Sequence, residues 1–122
     1  METATSKIQQ VTFEELQKQI AEGADTKVDA PFIAYFTAPW CQPCKTLYPM
    51  VAKLAEQLTG EFRVLQVDCE AHRDAVKAAG ITSVPTMVLY NRGRSIMSLN
   101  GVNALSGASR MMGKADELSK AN

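Results

Sequence analysis

Two cysteines, Cys41 and Cys44, lie three positions apart at the predicted start of a helix, where they can close a small disulfide ring. Pro43, between them, suits a first helical turn because its missing N–H costs nothing there. The first thiol would lie over unpaired N–H groups and the positive end of the helix dipole, which stabilise a thiolate. Because the thiolate is the attacking species in disulfide exchange, this spacing predicts redox chemistry at the two cysteines.

The same pair could also be half of a zinc site, which Cys69 and His72 would complete as three cysteines and one histidine. Zinc-binding pairs usually occupy polar turns, whereas this pair follows a bulky tryptophan and an apolar run, so we expect no metal. Cys69 is expected to be a small buried residue at a strand end, with a regulatory or dimer-forming thiol as the alternative. His72 is expected to be a partly buried structural side chain rather than a catalytic one.

The elements that flank the cysteine pair are indicated by their apolar patterns. Residues 32–36 form a continuous apolar and aromatic run, which is typical of a strand covered on both sides. The helix that carries Cys44 ends near Gly60 and should be kinked by Pro49, which lacks an N–H and crowds the preceding turn. The apolar face of this helix comprises Leu47, Val51, Leu54, Ala55 and Leu58.

The rest of the chain alternates predicted helices and strands. Thr12 and Glu15 form a capping box for a first helix, which Gly23 can end. Further strands are expected at 62–67, at 86–90 and at 94–99, with a hairpin turn at 91–93, and a short additional strand can form at 7–10. Ala75, Val76 and Ala79 form the apolar face of a short third helix that closes at Gly80, and a last amphipathic helix includes residues 108–118.

Strands separated by helices imply parallel pairing, and a terminal hairpin adds antiparallel edge strands. The sequence therefore predicts an α/β fold, a three-layer α/β/α sandwich around a mixed sheet of four to five strands.

Length and composition limit the classes of protein that the chain can be. Its 122 residues suffice for one domain, which we place at 1–122 with a flexible N-terminal segment at 1–6. Lys+Arg 13 against Asp+Glu 13 gives zero net charge, which argues against nucleic-acid binding. The sequence contains no membrane-span pattern and no visible secretory signal, and three cysteines are too few for a secreted disulfide scaffold. A cytoplasmic location is therefore expected.

Several motifs together resemble the thioredoxin family. They are Trp-Cys-x-Pro-Cys-Lys at 40–45, a helix proline at 49, Val-Pro-Thr at 84–86, a hairpin glycine at 93 and a late glycine at 101. The resemblance covers almost the whole chain and implies the thioredoxin fold. It also implies that Cys41 is the nucleophile and Cys44 the resolving cysteine of a dithiol–disulfide cycle.

The resemblance further implies a shallow groove that binds an extended substrate segment. Trp40 would flank the attacked disulfide, Pro85 would follow a cis peptide bond, and Val84 would offer backbone hydrogen bonds. Gly101 would complete the groove. These assignments come from the resemblance, because the sequence alone cannot show a cis bond.

This sequence departs from the family pattern at three positions near the cysteines. Thioredoxins usually carry a buried Asp in the preceding strand and a Lys in the next parallel strand, where this chain has Tyr35 and Val64. The residue after the first cysteine is usually Gly, and here it is Gln42. The usual proton relay to the resolving cysteine is therefore expected to be absent or replaced by water or the Tyr35 hydroxyl.

The resemblance thus implies a monomeric protein-disulfide reductase that acts on disulfide-containing proteins and receives electrons from a thioredoxin-reductase-type donor. No organic cofactor is implied, because the sequence has neither a Gly-x-Gly-x-x-Gly motif nor a Walker loop. One alternative is a binding module that uses the groove around Trp40, Pro85 and Gly101, with redox turnover secondary. The other is an oxidase or isomerase, which the missing signal and Gln42 in place of a histidine disfavour.

Overall fold

The centre of the molecule is a five-stranded mixed sheet with the strand order β1-β3-β2-β4-β5. The computed structural model describes residues 7–121, so the segment predicted to be flexible, 1–6, lies outside the described residues. The strands are β1 (Ile8–Gln10), β2 (Phe32–Thr37), β3 (Arg63–Asp68), β4 (Thr86–Asn91) and β5 (Arg94–Asn100). The helices are α1 (Phe13–Gly23), α2 (Gln42–Gln57), α3 (Arg73–Ala78) and α4 (Val102–Ser119).

Strand β2 occupies the middle of the sheet, parallel to β3 on one side and antiparallel to β4 on the other. Strand β1 pairs in parallel with β3, and β5 pairs antiparallel with β4. The predicted sandwich and mixed sheet are confirmed, including the short strand near residue 8. The prediction that both strands of the terminal hairpin lie at an edge is wrong, because β4 pairs with β2 and β5 alone of the two hairpin strands lies at an edge.

Two apolar clusters, one on each face of the sheet, hold the layers together. Helices α2 and α4 pack on the face that carries Ile33, Tyr35 and Met87. Helix α1 and Val76 of α3 pack on the opposite face, against residues such as Phe36 and Leu65. Alternate residues of β2 therefore enter different clusters, as the period of two along a strand requires. Since both faces are covered, the continuous apolar sequence of β2 is explained.

The ends of helix α1 follow the predicted chemistry, whereas α3 is less buried than predicted. The Glu15 N–H donates to the Thr12 side chain at 3.0 Å, and the Glu15 carboxylate accepts from the Thr12 N–H at 2.7 Å. In α3 the apolar face was expected to include Ala75 and Ala79, but both are exposed and only Val76 is buried. The helix is short and only one of its residues reaches the sheet. Pro49 lies inside α2 as expected, and the kink at that position stays a prediction.

Within residues 7–121, no helix has both the length and the apolar character that a membrane crossing requires.

A two-residue turn joins β4 to β5, and its backbone requires glycine at the second position. Arg92 has φ 57° and Gly93 has φ 77°, the left-handed combination that matches the twist of a tight hairpin. A Cβ atom on Gly93 would lie 2.8 Å from the Cα atom of Ala24, on the loop after α1. The turn is thus constrained both by its own conformation and by the segment packed against it.

We expect opposite effects from alanine at two of the glycines. Gly93→Ala should lower the free energy of unfolding by about 2 kcal/mol, because the left-handed conformation and the contact with Ala24 both oppose a side chain. Gly113→Ala should raise it by about 0.5–1 kcal/mol, because Gly113 lies inside α4 and its Cβ would meet nothing within 4 Å. Urea unfolding of both variants measures the two values. Equal destabilisation by both substitutions would contradict this description of the hairpin and of α4.

Candidate active site

The cysteine pair lies where the central strand β2 gives way to helix α2. Cys41 is the N-cap residue of α2, and Cys44 lies in its first turn, with their Cα atoms 5.3 Å apart. The two sulfur atoms form a disulfide. The backbone N–H of Cys44 donates to the Sγ atom of Cys41 at 3.2 Å, so the sulfur occupies the place of a capping side chain. The predicted position of the first cysteine over the helix N-terminus is confirmed.

Both cysteines are almost fully buried and pack with Ala38 and Val84. This apolar surrounding separates the sulfur atoms from bulk water on most sides. Burial by itself opposes a thiolate on Cys41, whereas the N–H groups of the first turn and the helix dipole favour one.

Trp40, the residue before the pair, has most of its side chain exposed and is fixed by one hydrogen bond. Its Nε1–H donates to the Glu70 carboxylate at 2.7 Å, and the other Glu70 oxygen pairs with the Arg73 guanidinium. These bonds, from Trp40 first and Arg73 second, lower the pKa of the Glu70 carboxyl. The loop after β3 thereby holds the indole ring beside the cysteines.

Glu70 and Arg73 were not identified from the sequence. The hydrogen bond from Trp40 to Glu70 joins residues thirty positions apart, and it depends on the pairing of β2 with β3. The available signal was a polar segment directly after the carboxyl end of β3, next to the strand that precedes the cysteines.

The segment before β4 approaches the cysteines from the other side. The Val84–Pro85 peptide bond is cis, as the resemblance implies. Gly101, at the N-terminus of α4, donates its N–H to the Pro85 carbonyl at 2.8 Å and has φ 58°. The structure therefore brings Val84 to the cysteines and joins Gly101 to Pro85.

A surface cavity of about 280 Å³ lies between Trp40 and Val84. Its walls also include Cys69, Val76 and Ile81, which are apolar, while Glu70, Arg73 and Lys77 supply charged groups. Of the four predicted groove residues, Trp40 and Val84 line this cavity directly. Pro85 and Gly101 do not line it.

Tyr35 and Val64 occupy the buried positions where the family usually has Asp and Lys. Neither side chain is exposed to solvent. The Tyr35 hydroxyl donates to the Cys44 carbonyl at 3.3 Å. Burial raises the pKa of Tyr35 to about 12, so its hydroxyl stays protonated near neutral pH. Tyr35 thus holds the backbone of Cys44 but is not a base for its thiol.

Cys69 lies half-buried after β3, and its N–H donates to the Thr37 carbonyl at 2.8 Å. Burial, followed by the nearby Asp68 carboxylate, raises the pKa of the Cys69 thiol to about 11. A protonated thiol at neutral pH fits the structural interpretation of this residue better than a reactive one.

His72 is the half-buried N-cap residue of α3, consistent with a structural side chain. In the part of the chain that the structure describes, no three His, Cys, Asp or Glu side chains are placed to hold a metal ion. The zinc alternative, which needs Cys69 and His72 beside the active cysteines, therefore has no support in the geometry.

Comparison with known proteins agrees with this geometry. The family model described as thioredoxin matches residues 7–114, which include both cysteines, the cis proline and Gly101. The chain belongs to the thioredoxin family. The thioredoxin fold that its motifs predict is therefore confirmed.

Individual thioredoxins are similar to this chain at moderate identity. A thioredoxin H-type from Chlamydomonas reinhardtii is 35% identical over 85 residues, which cover 70% of this chain and 74% of that protein. Thioredoxin M4, chloroplastic, from Arabidopsis thaliana is 33% identical over 73 residues, or 60% of this chain. That match spans only 38% of the Arabidopsis protein.

A solved structure described as ferredoxin:thioredoxin reductase and thioredoxin f2 in complex has the same fold. Its TM-score is 0.71 at 17% identity, with 92% of this chain and 98% of that chain covered.

The single tryptophan of the chain reports the Trp40–Glu70 hydrogen bond. The lowered pKa of Glu70 means that its carboxylate stays ionised, and the bond to Trp40 intact, at pH values where an ordinary glutamate is already protonated. The bond is lost only as the pH falls through this lowered pKa. We expect Trp40 fluorescence to stay constant as the pH falls through about 4.3, the pKa of an ordinary glutamate, and to change only at lower pH.

Glu70→Gln should remove this fluorescence change, whereas Asp74→Asn, an exposed acid on α3, should leave it in place. A change at the ordinary glutamate value, or one that persists in Glu70→Gln, would contradict the hydrogen bond.

Proposed function

We propose that this chain is a thiol–disulfide oxidoreductase that reduces disulfides of other proteins through a cycle of Cys41 and Cys44. The observation that carries the proposal is the position of Cys41 at the N-cap of α2, with the Cys44 N–H directed at its sulfur. This arrangement favours a thiolate on the first cysteine and keeps the second within bonding distance of it.

The proposed reaction has two exchange steps. The Cys41 thiolate attacks one sulfur of a substrate disulfide, forms a mixed disulfide and releases the other sulfur as a thiolate. Cys44 then loses its proton and attacks the Cys41 sulfur, which forms the Cys41–Cys44 disulfide and releases the second substrate sulfur as a thiolate. Two electrons pass to the substrate, and a reductase must return them.

We infer that the substrate binds as an extended segment across Trp40, Val84, Pro85 and Gly101. Three features support this. The cavity between Trp40 and Val84 has apolar walls that suit a substrate side chain. The segment before β4 approaches the cysteines through Val84. Gly101 is tied to Pro85, so these parts of the surface form one unit.

The electron donor is proposed to be a thioredoxin-reductase-type enzyme. The solved structure of a reductase bound to thioredoxin f2 supports this class of partner through the shared fold.

We propose that the protein acts as a monomer in the cytoplasm. The free thiol of Cys69, which has no disulfide partner among the described residues, suits a reducing compartment.

Serine variants test the two cysteine roles. Cys41→Ser should abolish reduction of insulin disulfides, because no nucleophile remains. Cys44→Ser should accumulate a mixed disulfide with its substrate, because only the second exchange step is lost. The assay measures turbidity of reduced insulin with dithiothreitol as electron source, and mass spectrometry detects the trapped complex.

A Cys44→Ser variant that turns over at the wild-type rate would contradict the assignment of the resolving cysteine. Reduction of insulin no faster than by dithiothreitol alone, with partner binding retained in the double serine variant, would instead favour the binding-module alternative.

A further inference from the structure

The second exchange step requires that the Cys44 thiol lose its proton, and the family's usual carboxylate is missing. Tyr35 stands in its place as a neutral phenol that donates its own hydrogen to the Cys44 carbonyl. Val64, where the family usually has a lysine, is fully buried in the apolar cluster. The buried side chains at these two positions therefore supply no base for Cys44.

A cavity of about 350 Å³ lies directly beside Cys44. Tyr35, Thr37, Tyr48 and Gln66 contribute polar groups to its walls, and Lys45 lies at its side. This depression is open to solvent and its exposed walls are mostly apolar, so water enters it from outside and meets only a few polar groups there. Water within it can reach the neighbourhood of the buried thiol.

A second cavity of about 230 Å³ adjoins the first and contains a carboxylate. Thr37, Ala38, Pro39 and Gln66 line both cavities, so the two share one wall. Asp68 lines only the second and is exposed to solvent. The Asp68 carboxylate is fixed in direction, because its Oδ1 atom accepts the Glu70 N–H at 2.9 Å.

The register of the sheet explains why these polar groups form one row. Tyr35 lies beside Gln66, and Thr37 beside Asp68, in the parallel pairing of β2 and β3. Residues two apart on a strand share a face, and paired residues of neighbouring strands point to the same side. These four side chains therefore emerge on one face of the sheet, at its carboxyl edge, leading from Cys44 towards solvent.

We propose that the Cys44 proton leaves through these two adjoining cavities and that the Asp68 carboxylate accepts it through water. This inference rests on the proposed function, because it concerns the second exchange step. In that step the Cys44 sulfur bonds to the Cys41 sulfur, the bond from Cys41 to the substrate sulfur breaks, and the substrate leaves as a thiolate. The proton passes from Cys44 to water and then to Asp68, which releases it to solvent.

The ionisable side chains that line the cavity beside Cys44 are Tyr35 from β2 and Lys45 and Tyr48 from α2, and Asp68 from β3 lines the adjoining cavity. Tyr35 and Tyr48 are phenols and Lys45 is a cation near neutral pH, so Asp68 is the one anionic base among them. Gln66 and Thr37 are positioning residues in this account, because they line the passage between the two cavities.

The experiment separates the two exchange steps with an equimolar aromatic disulfide, dithiobis(nitrobenzoate). Attack by Cys41 releases one coloured thionitrobenzoate in a first phase, and attack by Cys44 releases the second. The Cys44→Ser variant lacks the second phase and measures any reaction of Cys69. A wild-type protein that shows no second phase would refute the proposed function rather than this inference.

Asp68→Asn keeps the oxygen that accepts the Glu70 N–H but removes the base. We expect it to slow the second phase about tenfold, less than the roughly hundredfold of a directly placed base, and to leave the first phase unchanged. Added imidazole should restore the second phase of this variant, and Asp68→Glu should retain the wild-type rate. Gln66→Met should also slow the second phase, because it replaces a polar wall of the passage with an apolar one.

Two features distinguish proton transfer from a general effect of charge. Loss of a negative charge near Cys44 would favour its thiolate and speed the second phase, the opposite of the expected result. Asp74→Asn makes the same change of charge at an exposed site that lines neither cavity, and it should have no effect. A second phase that is unchanged or faster in Asp68→Asn, or slower without response to imidazole, would overturn the proposal.

Discussion

The junction between β2 and α2 is the constraint on which the site depends. Strand β2 is held between β3 and β4 and covered on both faces, so its end at Thr37 has little freedom. Four residues later, Cys41 caps the N-terminus of α2, and its sulfur accepts the N–H of Cys44 where a serine or aspartate oxygen would normally do so. One feature of the backbone thus fixes Cys41, directs an N–H group at its sulfur and places Cys44 beside it.

The other parts of the site are positioned relative to this junction by the sheet. Because β3 and β4 both pair with β2, their connecting loops meet at the cysteines from opposite sides. The end of β3 contributes Asp68, which lines the cavity next to the one beside Cys44, and the loop after it contributes Glu70, which holds Trp40. The segment before β4 contributes Val84. The surface around the disulfide is therefore assembled from three segments that are distant in the chain.

Local signals in the sequence were sufficient for the elements and for the chemistry of the cysteine pair. The capping box at Thr12 and Glu15 and the burial of β2 both follow from short patterns that the structure reproduces. The interior position of β4 could not be inferred in this way, because a hairpin signal shows which strands are joined but not what else they pair with. The exposure of Ala75 and Ala79 likewise depends on how far α3 stands from the sheet.

The polar surroundings of the cysteines required the register of the strands. Tyr35 and Val64 could be located from their distance to recognisable motifs, but the alignment of Tyr35 with Gln66 and of Thr37 with Asp68 is a property of the pairing between β2 and β3. The same holds for the contact between Trp40 and Glu70. A single sequence carries no signal for such contacts, because each partner is an ordinary polar residue in its own segment.

The most direct test of this account is the ionisation of Cys41 in the reduced protein, followed by the ultraviolet absorbance of its thiolate against pH. The thiolate should form well below the pH of roughly 8.5 at which a free cysteine ionises, because Cys41 caps α2. The absorbance step should disappear in Cys41→Ser and remain in Cys69→Ser. A step at the value of a free cysteine, or one that survives in Cys41→Ser, would contradict the central role of the helix N-terminus.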